Sequence, residues 1–249
     1  MGKASLFKLD LIKLARFFMT VNWQHTQQHP TETHSAPKWL VWAKAHQELV
    51  AVAGILALLL GVGVPYYLHS QQQAEKDAQN MMNLAEYYLR MPIDPKNGFK
   101  TATDRDKQAK ETFQRVTTDY PGTPTSKIAR YYLAKTQYFL GEYTTAYTNF
   151  DRANQELNDS PLGAEAALGK VLCLEVQNQW PQAATLAESF LKEKPDSFLV
   201  PEIRLQLSEI YIKTQNKDKA MEQLKLTAQT FPDSKWGKEA AHRLELLKS

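Results

Sequence analysis

Between Leu49 and Leu68 the chain reads LVAVAGILALLLGVGVPYYL, twenty residues without a charge, and polar sequence flanks the run on both sides. At a rise of about 1.5 Å per residue, a helix of that length crosses the roughly 30 Å hydrocarbon core of a bilayer. The pattern predicts one transmembrane helix over residues 47–69. Tyr66 and Tyr67 at one end and Trp39 and Trp42 near the other suit the headgroup region, where amphipathic rings are favoured. Pro65 is expected in the last turn of this helix, where proline costs little. Both the leading segment and the apolar run exceed those of a cleaved signal peptide, whose apolar stretch is about 7–15 residues. No Cys follows closely enough for lipid attachment, so a permanent anchor is expected.

Ahead of the span, Phe7, Leu11, Leu14, Phe18 and Val21 recur at helical spacing, with Lys13, Arg16 and Thr20 on another face. Residues 1–23 thus predict a basic amphipathic helix for the inner leaflet or for a membrane partner. Residues 24–46 are polar, contain Pro30 and Pro37, and read as a linker. Its His25, His29 and His34 lack the Cys or acidic companions of a metal site.

Beyond the span, residues 70–249 predict an exported all-α domain. Ala78, Met81, Met82, Ala85 and Leu89 form the buried stripe of a helix ending before Pro92, and Met91 to Thr103 is expected as a loop. From there the chain repeats itself. Ala109, Ala146, Ala183 and Ala220 are each 37 apart, and Phe113, Phe150, Ala187 and Leu224 follow four residues later. The turns keep step: Tyr120-Pro121-Gly122-Thr123, Leu157-Asn158-Asp159-Ser160, Lys194-Pro195-Asp196-Ser197 and Phe231-Pro232-Asp233-Ser234. Each unit predicts a helix pair. Ala129 to Ala134 begin one helix, Gly141-Glu142-Tyr143 turns the chain, and Ala146, Phe150 and Ala153 share one face of the next. Gly-Thr or Asp-Ser supplies turn and cap chemistry for the helix that follows. A single unit cannot bury its own apolar face, so neighbours must stack into an array of about 3.5–4 repeats. Trp236 to Leu247, with Ala240, Ala241 and Leu244 inward, is expected to close the array as a cap helix.

Leu133, Ala134, Gly141, Tyr143, Ala146, Phe150 and Ala153 resemble, in order, the small and large signature positions of the tetratricopeptide repeat (TPR). Pro121, Pro195 and Pro232 match its terminal proline. The unit is three residues longer than the usual 34, and its turn is similar to those of bacterial envelope repeat proteins. The unit from Leu162 to Ser197 departs from the pattern, with Gly169-Lys170 near where Leu and a small residue are expected. The resemblance implies a TPR-like α-solenoid of helix hairpins. A span ahead of such an array resembles the YfgM-type inner-membrane proteins, although the leading segment here is longer than theirs. That likeness implies an array in the periplasm, ancillary to the Sec translocon, passing exported clients to chaperones.

Charge refines the topology. Of 30 Lys and Arg and 27 Asp and Glu, six and three precede the span, so 24 of each follow it. The excess of base before Leu49 is expected in the cytoplasm, leaving the array outside the bacterial inner membrane. A balanced exported part lacks the clustered base that nucleic acid requires. Cys173 is the only cysteine, so no internal disulfide forms, and its apolar neighbours Val171, Leu172 and Leu174 suggest a core residue.

Catalysis needs convergent groups such as a nucleophile, its base and an oxyanion donor. No such set, phosphate loop, metal spacing or cofactor motif occurs in the sequence, so a non-enzymatic binding role is expected. First helices of stacked TPR units line a groove. Helical spacing places Tyr131, Lys135 and Tyr138 there, with Leu205, Glu209 and Ile212 in the last full unit. Such aromatic and mixed-charge positions suit a peptide, while Tyr138 and Ile212 equally suit the inter-repeat core. The expected function is a membrane-anchored scaffold in envelope protein translocation or chaperoning. The alternatives are a structural subunit of another envelope machine and a single-span regulator reporting groove occupancy through the basic segment.

Overall fold

A computed structural model describes residues 37–248. The amphipathic segment predicted over residues 1–23, and His25, His29 and His34 of the linker, lie outside the described residues. The chain divides into two compact units, one ending at Leu60 and one beginning at Gly61.

In the first unit, α1 (Lys38–Ala45) and α2 (Gln47–Leu58) are followed by a π-helical turn, Leu59–Gly63. The helix that begins at Gln47 runs on to Arg90 and is long and apolar enough to cross a membrane by length and composition. Pro65 therefore does not stand in a last turn, as the sequence suggested. It lacks an N–H, and its ring crowds the carbonyl four residues earlier, at Gly61. The wider π turn just ahead of it, rich in glycine, absorbs that crowding without ending the helix.

The second unit begins with α3 (Val64–Arg90), whose Ala78, Met82 and Ala85 are buried, with Met81 and Leu89 packed beside them. After a connection containing a short 3₁₀ turn, Pro95–Asn97, the array continues as α4 (Ala102–Asp119), α5 (Pro124–Phe139), α6 (Tyr143–Glu156), α7 (Pro161–Val176), α8 (Trp180–Glu193), α9 (Val200–Lys213), α10 (Lys217–Thr230) and α11 (Lys235–Lys248). Each helix packs on the next, and α3 on α5, α5 on α7 and α9 on α11 as well. Among the described residues there is no strand. The result is a TPR-like solenoid of antiparallel helix pairs.

The 37-residue period organises its core. Ala109, Ala146, Ala183 and Ala220 are all completely buried, because a small side chain there lets paired helices approach closely. The helix ends repeat as well. Thr123, Ser160 and Ser234 side chains accept from the backbone N–H of Ser126, Gly163 and Gly237, at 3.1, 3.3 and 3.0 Å. Each bond satisfies one of the donors a helix start leaves unpaired. At Ser197 the pattern changes: its hydroxyl accepts from Leu199 N–H instead, and α9 begins without a side-chain cap. Gly141, Asn178 and Gln215, again 37 apart, adopt positive φ of 80°, 58° and 61° after α5, α7 and α9. Behind each, the next residue's N–H reaches back five positions: Glu142 to Gln137, Gln179 to Leu174 and Asn216 to Tyr211, at 2.8–2.9 Å. This is the left-handed closure that satisfies carbonyls at a helix end.

Two further expectations are corrected. The loop predicted from Met91 to Thr103 ends earlier, because Thr101 caps α4 by accepting from Asp104 N–H at 3.1 Å. In α11, Ala240 is buried and Leu244 half-buried, but Ala241 is exposed. Gly237 shares the inward face instead; a Cβ there would come within 1.9 Å of the Phe231 carbonyl oxygen, so only glycine lets α11 start that close to α10.

Candidate partner-binding groove

Tyr131, on α5, is buried and makes edge contacts with Tyr132 and Phe150, at ring separations of 5.2 and 6.0 Å. Its hydroxyl donates to the Glu165 carboxylate on α7. Burial, and then the bond to Glu165, hold the phenol protonated well above the usual tyrosine range. One turn further along α5, Lys135 places its Nζ 5.9 Å from the Tyr131 ring centre and makes no ion pair among the described residues. Tyr138 is half-buried, edge-on to Phe139 and Tyr143.

These residues open onto a cavity of about 360 Å³ that runs from α5 across α7 to the starts of α9 and α11. Its walls include Phe139, Leu168, Leu172, Phe198, Glu202 and Trp236. Gly169 is part of the floor for a steric reason: a Cβ there would lie 2.7 Å from the Phe150 ring, which occupies the space above α7. Phe139 and Phe198 are 70% and 55% exposed, so two large apolar rings stand uncovered at the rim. Lys135 and Phe139 also line a neighbouring cavity of about 560 Å³ between α3, α4 and α5.

Of the predicted groove residues, Tyr131, Lys135 and Tyr138 come together here, whereas Leu205, Glu209 and Ile212 do not line this cavity. Leu205 is buried with Leu224 and Ala240, with Leu244 and Leu247 beside it, because α11 covers that face of α9. Glu209 faces Lys213 and Arg243, each at 3.8 Å. Ile212 packs against the core that contains Ile210 and Tyr211. Sequence spacing missed Phe198 and Trp236, which precede or begin helices where periodicity carries no signal, and it missed the carboxylates of Glu165 and Glu202.

Elsewhere in the array, Cys173 is buried among Ala134, Ala146 and Phe150, and burial pushes its thiol up to about 12. Such a group is an unreactive thiol at neutral pH. Among the described residues no three His, Cys, Asp or Glu side chains gather where they could hold a metal ion.

The family model described as Tetratricopeptide repeat matches residues 79–123 and 202–234. These segments cover the α3–α4 pair from the middle of α3 and most of the α9–α10 pair. No curated protein matches the chain. Among solved structures, the kinesin-light-chain TPR-like repeats of Podosopora anserina are 13% identical, with a TM-score of 0.53, covering 70% of this chain and 86% of theirs. A singly substituted form of the same protein gives 0.54, with 13% identity and coverage of 70% and 85%. MamA from Desulfovibrio magneticus RS-1, residues 41 to the end, is 17% identical at a TM-score of 0.48, covering 69% of this chain and 93% of that one. Two segments of the chain match the tetratricopeptide-repeat model, and its array shares the fold of the Podosopora proteins.

Proposed function

We propose that this chain is a single-span membrane protein whose repeat array is a scaffold for protein partners. TPR arrays suit proteins or peptides as ligands, and the observation that carries the reading is the cavity between α5 and α9. Its exposed Phe139 and Phe198 rings offer an apolar seat for a peptide segment. The role proposed for it is binding.

The finer reading places the array in the periplasm, tethered to the bacterial inner membrane with the basic segment in the cytoplasm. The uncharged run from Leu49 to Leu68 and the Lys and Arg ahead of it support that orientation. Tethering raises the effective concentration of the groove at the membrane, so weak contacts with emerging clients suffice. We assign the partners as exported proteins or the Sec translocon.

A photo-crosslinking side chain at Phe139 or Phe198 in intact cells should capture secretory machinery or exported clients. Recovery of cell-wall or pilus components alone would assign the scaffold to another envelope machine. A topology reporter fused after Ser249 should be active only outside the cytoplasm. The basic segment also favours a regulator as a second reading: deleting residues 1–38 leaves a scaffold's function intact and abolishes a signalling function.

A further inference from the structure

The acids of the groove are placed in register. Glu165 on α7 and Glu202 on α9 are 37 residues apart, at equivalent positions of successive units, and both line the cavity. Glu239 continues the column on α11, where Arg243 occupies it at 2.6 Å. The Glu202 side chain enters no hydrogen bond or ion pair among the described residues. Glu165 accepts one hydroxyl, from Tyr131, and an ionised carboxylate has room for several donors. The Tyr131 bond fixes the orientation of Glu165 without using it up. Two bases stand at the groove, each placed on an aromatic ring: Lys135 on the α5 side, with its ammonium near the Tyr131 ring, and Lys235 at the start of α11, with its ammonium 4.3 Å from the Trp236 ring centre. The α7–α9 side therefore joins two under-used carboxylates to the apolar surface of Leu172, Phe198 and Trp236.

We infer that the groove selects a basic-apolar peptide segment, one that sets Arg or Lys against Glu165 and Glu202 and an aliphatic or aromatic residue against Phe198. The inference rests on the scaffold reading above. A guanidinium is the better match, because its planar fork donates to two oxygens at once and its stem covers apolar surface. An acidic segment meets like charge at the same place and is rejected.

The test uses the full chain in a neutral detergent and three labelled synthetic peptides. They share the same Leu and Phe positions and carry Arg, Gln or Glu at the alternate ones. Affinity is read by fluorescence anisotropy at low and raised salt. The Arg peptide should bind about tenfold more tightly than the Gln peptide and lose that margin in salt. The double variant Glu165→Gln/Glu202→Gln should bring the two together, and Glu202→Gln alone, which breaks no side-chain hydrogen bond or ion pair, should narrow the margin in a fully folded chain. Equal or tighter binding of the Gln or Glu peptide overturns the charge preference, while the groove reading survives if Phe198→Ala weakens all three. If Phe139→Ala and Phe198→Ala change no affinity, the groove reading fails and this inference with it.

Discussion

The Nζ of Lys170 lies 2.6 Å from an Asp151 carboxylate oxygen, in a place that the 37-residue register gives to Leu133 and Leu207 in neighbouring units. Those leucines are buried. The Lys170 side chain is only 12% exposed, its stem filling the leucine slot while its ammonium reaches Asp151 on α6 and sits 5.8 Å from the Tyr147 ring centre.

The pair should respond unequally to its two single changes. Asp151→Asn leaves a largely buried ammonium without its counter-charge and should cost about 1–3 kcal/mol. Lys170→Leu restores the repeat's apolar side chain and leaves a carboxylate with access to solvent, so it should be neutral or stabilising. Thermal melts of both variants decide this. Equal losses would mean that the ion pair itself, rather than the stranded lysine, carries the energy.

Gly169 should accept alanine only with a penalty. Its Cβ would stand 2.7 Å from the Phe150 ring, and that ring also packs edge-on against Tyr131. Overpacking of this kind costs about 1–3 kcal/mol. Gly169→Ala should lower the melting temperature, and adding Phe150→Leu, which removes the opposing ring edge, should recover part of the loss. No recovery in the double variant would place the strain elsewhere.

Why the repeat could be read from the sequence and the groove only in part has a physical cause. The period rests on residues whose size is fixed by contact within one helix pair, such as Ala146 with Phe150, and such contacts are local. Tyr131, Lys135 and Tyr138 likewise share one face of one helix. Whether Leu205 joins them depends on how successive pairs rotate and on what α11 covers, neither of which spacing along α9 encodes. The Lys170–Asp151 pair was invisible for the same reason, since its members stand on different helices. Pro65 shows a milder limit: apolar length predicted a span, but the π turn that keeps the helix running past the proline is set by backbone hydrogen bonding.

Of the left-handed residues that close α5, α7 and α9, only the first is glycine. Gln215 adopts φ 61° after α9, a conformation that costs a side-chain-bearing residue about 1 kcal/mol relative to glycine. Gln215→Gly should therefore raise stability by up to about 1 kcal/mol, reduced by the greater freedom of glycine in the unfolded chain. Gly141→Gln, the reverse exchange at φ 80°, should lower it by a similar amount. Chemical denaturation of both variants checks the pair, and a loss at Gln215→Gly would show that the glutamine makes up for its backbone.

Glu175 gives the array a pH dependence of unusual sign. Burial, and then the charge of Glu209, push its carboxyl up from the usual 4.5 to about 7. One oxygen has no hydrogen-bond partner and the other accepts from Gln206 at 3.4 Å. Between about pH 4.5 and 7 the folded chain holds a proton that the unfolded chain has released, so this group's contribution to stability falls as pH rises through that window. Above pH 7 the folded state carries the full penalty of a buried charge, at most about 3 kcal/mol. Glu175→Gln cannot ionise and should be more stable than the parent at about pH 8, with the advantage shrinking as pH falls toward 4.5. Melting curves of parent and variant across that range test the assignment, and parallel profiles would show that Glu175 is not the group that titrates.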